Sequence, residues 1–140
     1  MKRIFALRAA ACAQNSAASI TESVVDMCAE LFRRNNLSTG DVVSLQFSLT
    51  SDLDEMNPCA ALRKNYSGSV DVSCVPLFCT QEASIKNALP RVIRLLAHVY
   101  MEENVSPIHV YTRGAEVLRP EFASDAQIYA LPNSGLERKI

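Results

Sequence analysis

Arg91-Val92-Ile93-Arg94-Leu95-Leu96-Ala97-His98-Val99-Tyr100 is the stretch on which the fold turns. At a helical period Val92, Leu95, Leu96 and Val99 share a face; at a period of two Ile93, Leu95, Ala97 and Val99 do. Periodicity alone does not choose between helix and strand here.

Working outward, residues 42–50 alternate. Val43, Leu45, Phe47 and Leu49 lie on one face and Ser44, Gln46, Ser48 and Thr50 on the other, which predicts a half-buried strand. Residues 3–8 read as a short strand carrying Ile4, Phe5 and Leu7, followed by the small residues Ala9-Ala10-Ala11-Cys12-Ala13. The clearest helix comes next. Ile20, Val24, Cys28 and Leu31 fall at helical spacing, with Met27 and Phe32 widening the stripe. Ser19 and Glu22 have capping-box spacing, and Ser16 is an alternative cap one turn earlier. Glu30 and Arg34 are an i,i+4 pair, Arg33 and Arg34 suit the C-terminal dipole, and Asn35-Asn36 ends the helix. Residues 59–64 predict a short helix, and 70–78 an extended run interrupted by Pro76. Residues 108–111 and 116–118 read as a last pair of strands joined by a turn at Arg113-Gly114. One long helix with four or five strands makes an α+β domain over residues 1–123, with 124–140 as a mobile tail.

Bulk properties narrow the function. A chain of 140 residues fits one domain, and 49% apolar with 21% charged residues is ordinary for a globular protein. A net charge of -1 and a pI near 6.1 argue against a nucleic-acid partner. The N-terminal stretch meets Arg8 after four apolar residues, unlike a signal peptide, and no apolar run reaches the ~20 residues of a membrane span, so a cytoplasmic protein is expected. Five cysteines, an odd number without a CxxC pair, and two histidines give no expectation of a disulfide framework or a metal site. His98 and His109 are read as structural or exposed.

No P-loop, GxGxxG, GxSxG or HExxH motif is present. What remains is a set of arginines beside apolar strand ends, Arg8, Arg63, Arg94 and Arg119, together with Cys79-Thr80-Gln81-Glu82 and Tyr111. Guanidinium forks pair carboxylates bidentately, so the set suits a small dianion.

Several pieces stand in order along the chain: Leu7-Arg8, Asp52-Leu53 before a loop with Pro58, then Arg63 and Val75-Pro76-Leu77-Phe78-Cys79-Thr80-Gln81-Glu82. Ile93-Arg94, His109-Val110-Tyr111 and Val117-Leu118-Arg119-Pro120 complete the series. Over residues 2–120 the sequence resembles the monofunctional chorismate mutases of the Bacillus type. The resemblance implies a mixed β-sheet with one long helix, and a homotrimer whose sheets form a pseudo-barrel core with active sites between subunits. It also implies that residues 91–100 are a strand. The reaction implied is the rearrangement of chorismate to prephenate in phenylalanine and tyrosine biosynthesis, with no cofactor and no metal.

By the same resemblance, Arg94 faces the ether oxygen, where negative charge grows, and Glu82 accepts a hydrogen bond from the ring hydroxyl. Arg8 and Tyr111 hold the side-chain carboxylate, and Arg63 lies near the ring carboxylate. Phe78, Cys79, Thr80 and Gln81 line the pocket, with Leu118 and Arg119 near it. The chain departs from the family at Ala9, where glycine is frequent, so a positive φ there would crowd the added methyl. It departs also at Asn57, Ala60 and Phe78, where an aromatic residue, a lysine and a threonine occur. Two other readings compete. One is a trimeric module that binds a small carboxylate metabolite without turnover, and the other a trimeric imine deaminase.

Overall fold

Residues 91–100 form a strand. The computed structural model describes residues 1–122 and places the stretch in β4 (Val92–Glu102). Ile93, Leu95, Ala97 and Val99 point into the core, while Arg94, Leu96 and His98 point the other way. A helix would have carried Leu95 and Leu96 to the same side; here one is buried and the other open. The tail expected at 124–140 lies outside the described residues.

The other elements are β1 (Lys2–Cys12), α1 (Ala17–Arg34), β2 (Val42–Leu49), α2 (Pro58–Asn65), β3 (Leu77–Gln81) and β5 (Val110–Thr112), with short 3-10 turns between them. The sheet order is β3-β2-β4-β1-β5. β4 runs antiparallel to β1 and β2, while the outer strands β3 and β5 run parallel to their neighbours, so the sheet is mixed and the fold α+β.

One face of the sheet carries the principal core. α1 buries Ile20, Val24, Met27, Cys28, Leu31 and Phe32 against Leu7, Leu45, Phe47, Leu95 and Val99. Its cap is Ser16, whose Oγ accepts from the Ser19 backbone N–H at 3.1 Å. The Glu30–Arg34 pair forms at 3.0 Å. At the C-cap, buried Asn35 donates to the Leu31 carbonyl at 2.9 Å and reaches on to Ile108. α2 starts at Pro58, capped by Asn57 Oδ1, which accepts from the Cys59 N–H at 2.8 Å. Among the described residues no helix is long and apolar enough to cross a membrane.

Four local readings change. β1 continues through Ala9, Ala10 and Ala11 because it is interior, hydrogen-bonded to β4 on one side and β5 on the other, and covered on both faces. Only small side chains fit there, and the three are buried. None of them has a positive φ, so alanine after Arg8 carries no backbone strain. Val43 is exposed rather than inward, since a register shift between Val42 and Ser44 turns Val42 into the core instead. The run 70–78 becomes a strand only at Leu77. Asp71 caps a 3-10 turn over Val72–Cys74, and Pro76, lacking an N–H, offers only its carbonyl to Leu45. The last strand pair is not a hairpin. β5 is followed by left-handed Arg113 and Gly114, and the Gly114 N–H donates to Glu116 Oε2 at 2.8 Å, turning residues Ala115–Leu118 into a 3-10 helix. That segment leaves the sheet edge and packs Tyr111, Ala115, Leu118 and Phe122 over Ala10 and Val92.

Candidate active site

The face of the sheet opposite the helices stays open except where residues 110–122 fold over one end, and there a hollow of about 460 Å³ forms. Strand register builds its floor. Ser48 of β2 pairs with Thr80 of β3 on one side and Arg94 of β4 on the other, and Arg94 pairs with Ala10 of β1, which pairs with Tyr111 of β5. These residues form one row across the sheet. The next row holds Phe78, Gln46, Leu96 and Arg8. Alternation puts all of them on the side away from α1.

Arg94 and Glu82 meet in this row, Nε to Oε1 at 2.6 Å. Glu82 follows the end of β3, and its backbone N–H donates to the Leu49 carbonyl at 2.8 Å, which swings the carboxylate back over the sheet. The Ser48 hydroxyl donates to the same Oε1 at 2.8 Å. A guanidinium has five N–H bonds, so pairing through Nε leaves its terminal nitrogens for another acceptor. Arg8, Arg94 and Arg119 all line the hollow, with Gln46, Thr80, Tyr111 and Leu118. Three guanidiniums in a partly covered concavity make a field suited to an anion.

The covering segment is tied to the arginines. The Phe122 ring lies under the guanidiniums of Arg8, at 5.5 Å from the ring centre, and Arg119, at 4.5 Å. Arg119 Nε also donates to Glu121 Oε1 at 2.5 Å. His109 packs at a tilt against Phe122 with ring centres 4.7 Å apart, and its Nδ1 accepts from the Arg8 backbone N–H at 3.0 Å. Burial, then the charges of Arg8 and Arg119, hold the His109 pKa below 6.5. No group of three or more His, Cys, Asp or Glu side chains among the described residues is placed to hold a metal ion.

The comparisons with known proteins agree with one another. The family model for chorismate mutase type I matches residues 4–122. The chorismate mutase AroH of Thermus thermophilus is 29% identical over 108 residues, covering 76% of this chain and 84% of that protein. The structure of a chorismate mutase from Clostridium thermocellum superposes with a TM-score of 0.71 at 29% identity, covering 81% of this chain and 98% of the other. The chain belongs to the chorismate mutase type I family.

It is accordingly an isomerase that converts chorismate to prephenate, breaking one carbon–oxygen bond and forming one carbon–carbon bond within a single molecule. No proton transfer or covalent intermediate is required, so a chorismate mutase works by holding a compact conformer and stabilising separating charge.

The residues singled out in the sequence do not all gather in one place. Arg8, Thr80, Arg94, Tyr111, Leu118 and Arg119 line the hollow, and Glu82 joins through Arg94. Phe78 stands on the same face but 64% exposed on edge strand β3. Cys79 alternates to the other face and packs against the principal core, where burial raises its thiol pKa. Gln81 is exposed at the end of β3, and Arg63 is exposed in the last turn of α2. Gln46 and Ser48 line the hollow, and His109 and Phe122 contact Arg8, without having been singled out as site residues. For the first two a signal existed: they are the polar half of the alternating strand 42–50.

Proposed function

We propose that the hollow beside the Arg94–Glu82 pair is where chorismate rearranges, and that each complete site is shared between neighbouring copies in a homotrimer. The observation that carries this reading is the ion pair itself: a cation and an anion 2.6 Å apart on an open sheet face ringed by arginines. The terminal nitrogens of Arg94 face the ether oxygen as it gains negative charge. Glu82 uses Oε1 for Ser48 and Arg94, and offers Oε2 to the ring hydroxyl, near the carbon framework that gains positive charge. Donors fixed in advance need no reorganisation when that charge develops. Arg8 and Tyr111 hold the side-chain carboxylate, with Arg119 and Leu118 closing that end. Thr80, with Gln81 and the backbone at Cys79, borders the ring.

Arg63 and Phe78 point to the trimer. Neither lines the hollow of its own chain and both are exposed, which suits delivery to a neighbour's site, Arg63 to the ring carboxylate. The bare face also carries Ile4, Leu96 and Tyr100, 49%, 36% and 45% exposed. Antiparallel sheets commonly keep a wet face, but large apolar side chains on it mark an interface. Three such faces packed together give the pseudo-barrel core. The working location is the cytoplasm.

Subunit mixing tests the sharing. Arg63→Ala and Arg94→Ala homotrimers are each expected to be nearly inactive on chorismate. Unfolding and refolding them together at equal amounts should give about a quarter of sites both arginines, half times half, if the two come from different chains of a closed ring. Activity then rises towards that fraction of wild type. If both arginines of a site belong to one chain, every mixed site has a defect and mixing restores nothing.

A further inference from the structure

His109 has a role that the rearrangement itself does not require. Along β1 the backbone pairing to β5 begins at Ala9–Val110. One residue earlier, the Arg8 N–H meets no strand carbonyl and donates instead to His109 Nδ1 at 3.0 Å. A ring nitrogen accepts an N–H only through its lone pair, so the ring is neutral and its proton sits on Nε2. The backbone leading to the histidine is itself fixed from α1. Buried Asn35 donates through Nδ2 to the Ile108 carbonyl and accepts from the Ile108 N–H through Oδ1, both at 2.8 Å. The other side of the imidazole rests on Phe122.

We infer that His109 is a positioning residue for Arg8: anchored by Asn35 through Ile108, its neutral Nδ1 fixes the Arg8 backbone at the point where the strand ladder ends. The inference rests on reading Arg8 as a substrate-binding arginine. The surroundings favour the neutral ring. Burial and the cations Arg8 and Arg119 oppose protonation, the acid nearby, Glu121, is paired with Arg119, and Tyr111 meets Phe122 rather than the imidazole. A proton on Nδ1 would set donor against donor at Arg8 and add a third positive charge.

Two variants separate positioning from bulk. In His109→Asn the side-chain Oδ1 branches from Cγ as Nδ1 does and accepts the same N–H; His109→Ala has no acceptor. A uniformly binding contact acts on KM with little effect on kcat. With chorismate as substrate, His109→Ala is expected to raise KM roughly five- to tenfold, the worth of one hydrogen bond, and His109→Asn to restore most of the loss. In the wild type, nitrogen NMR at neutral pH should show the ring as the neutral Nε2–H form. Unchanged KM in His109→Ala beside an active wild type, an equal loss in both variants, or a proton on Nδ1 would each overturn the inference alone. A wild type that leaves chorismate unchanged overturns the reading of the site, and the inference with it.

Discussion

Ser48 and Arg94 converge on one oxygen of Glu82, at 2.8 and 2.6 Å, so the carboxylate is held from two neighbouring strands. Removing the hydroxyl leaves Arg94 to hold it alone. Hydrogen bonds to charged groups contribute about 1.5–3 kcal/mol, so Ser48→Ala should lower kcat about tenfold or more. Steady-state kinetics on chorismate check this, and an unchanged kcat would mean that Ser48 does not hold Glu82. At this scale the sequence was uneven. Arg94 and Glu82 stood out because they fell in an ordered series of recognisable pieces. Ser48 and Gln46 did not, because the polar half of an alternating strand looks like a solvated face until the sheet is folded and that face becomes the floor of a hollow. The sequence presents His109 as structural or exposed, and its contact with Arg8 spans a sequence separation that no local pattern records.

Helix α2 shows how a departure from the family pattern takes a local job. Asn57, where an aromatic residue is common, caps α2 through the Cys59 N–H. Asn57→Ala should cost about 1 kcal/mol of stability, measured by urea unfolding. A loss near zero would show the cap to be replaced by water. Of the elements, α1, the alternation in β2 and the short helix near 59–64 were legible, because a repeat of 3.6 or 2 and a cap are local signals. The length of β1 was not, since Ala9, Ala10 and Ala11 signal neither strand nor helix and belong to the sheet only because both neighbours crowd them. The last strand pair failed for a different reason. Left-handed Arg113 and Gly114, with Glu116 accepting from the Gly114 N–H, make a 3-10 turn where alternation alone suggests a hairpin.

For the whole molecule, the sheet has helices on one side and Ile4, Leu96 and Tyr100 on the other. In the proposed homotrimer a charge in the middle of that bare face would be buried, so Leu96→Asp should leave the protein monomeric in sedimentation analysis where the wild type is trimeric, and lower activity with it. A trimer that survives the change would place the interface elsewhere. The cysteines give an independent check on the single-chain fold. Cys74 is exposed, while Cys28 is fully buried and its thiol pKa is pushed up strongly by burial and then by Cys59. A thiol reagent under native conditions should label Cys74 first and leave Cys28 untouched. Labelling of Cys28 at the same rate would contradict the packing of α1. The fold class was readable from pattern and resemblance, but trimerisation had no residue pattern of its own and draws its support from the open face. The most direct measurement follows the conjugated-diene absorbance of chorismate with wild-type protein and with Arg94→Ala side by side. The account predicts rapid loss with the wild type and a turnover at least roughly 10²–10³ lower in the variant, the scale of losing one preorganised donor to a developing oxyanion. Equal rates in the two proteins would contradict the place given to the Arg94–Glu82 pair at the centre of the site.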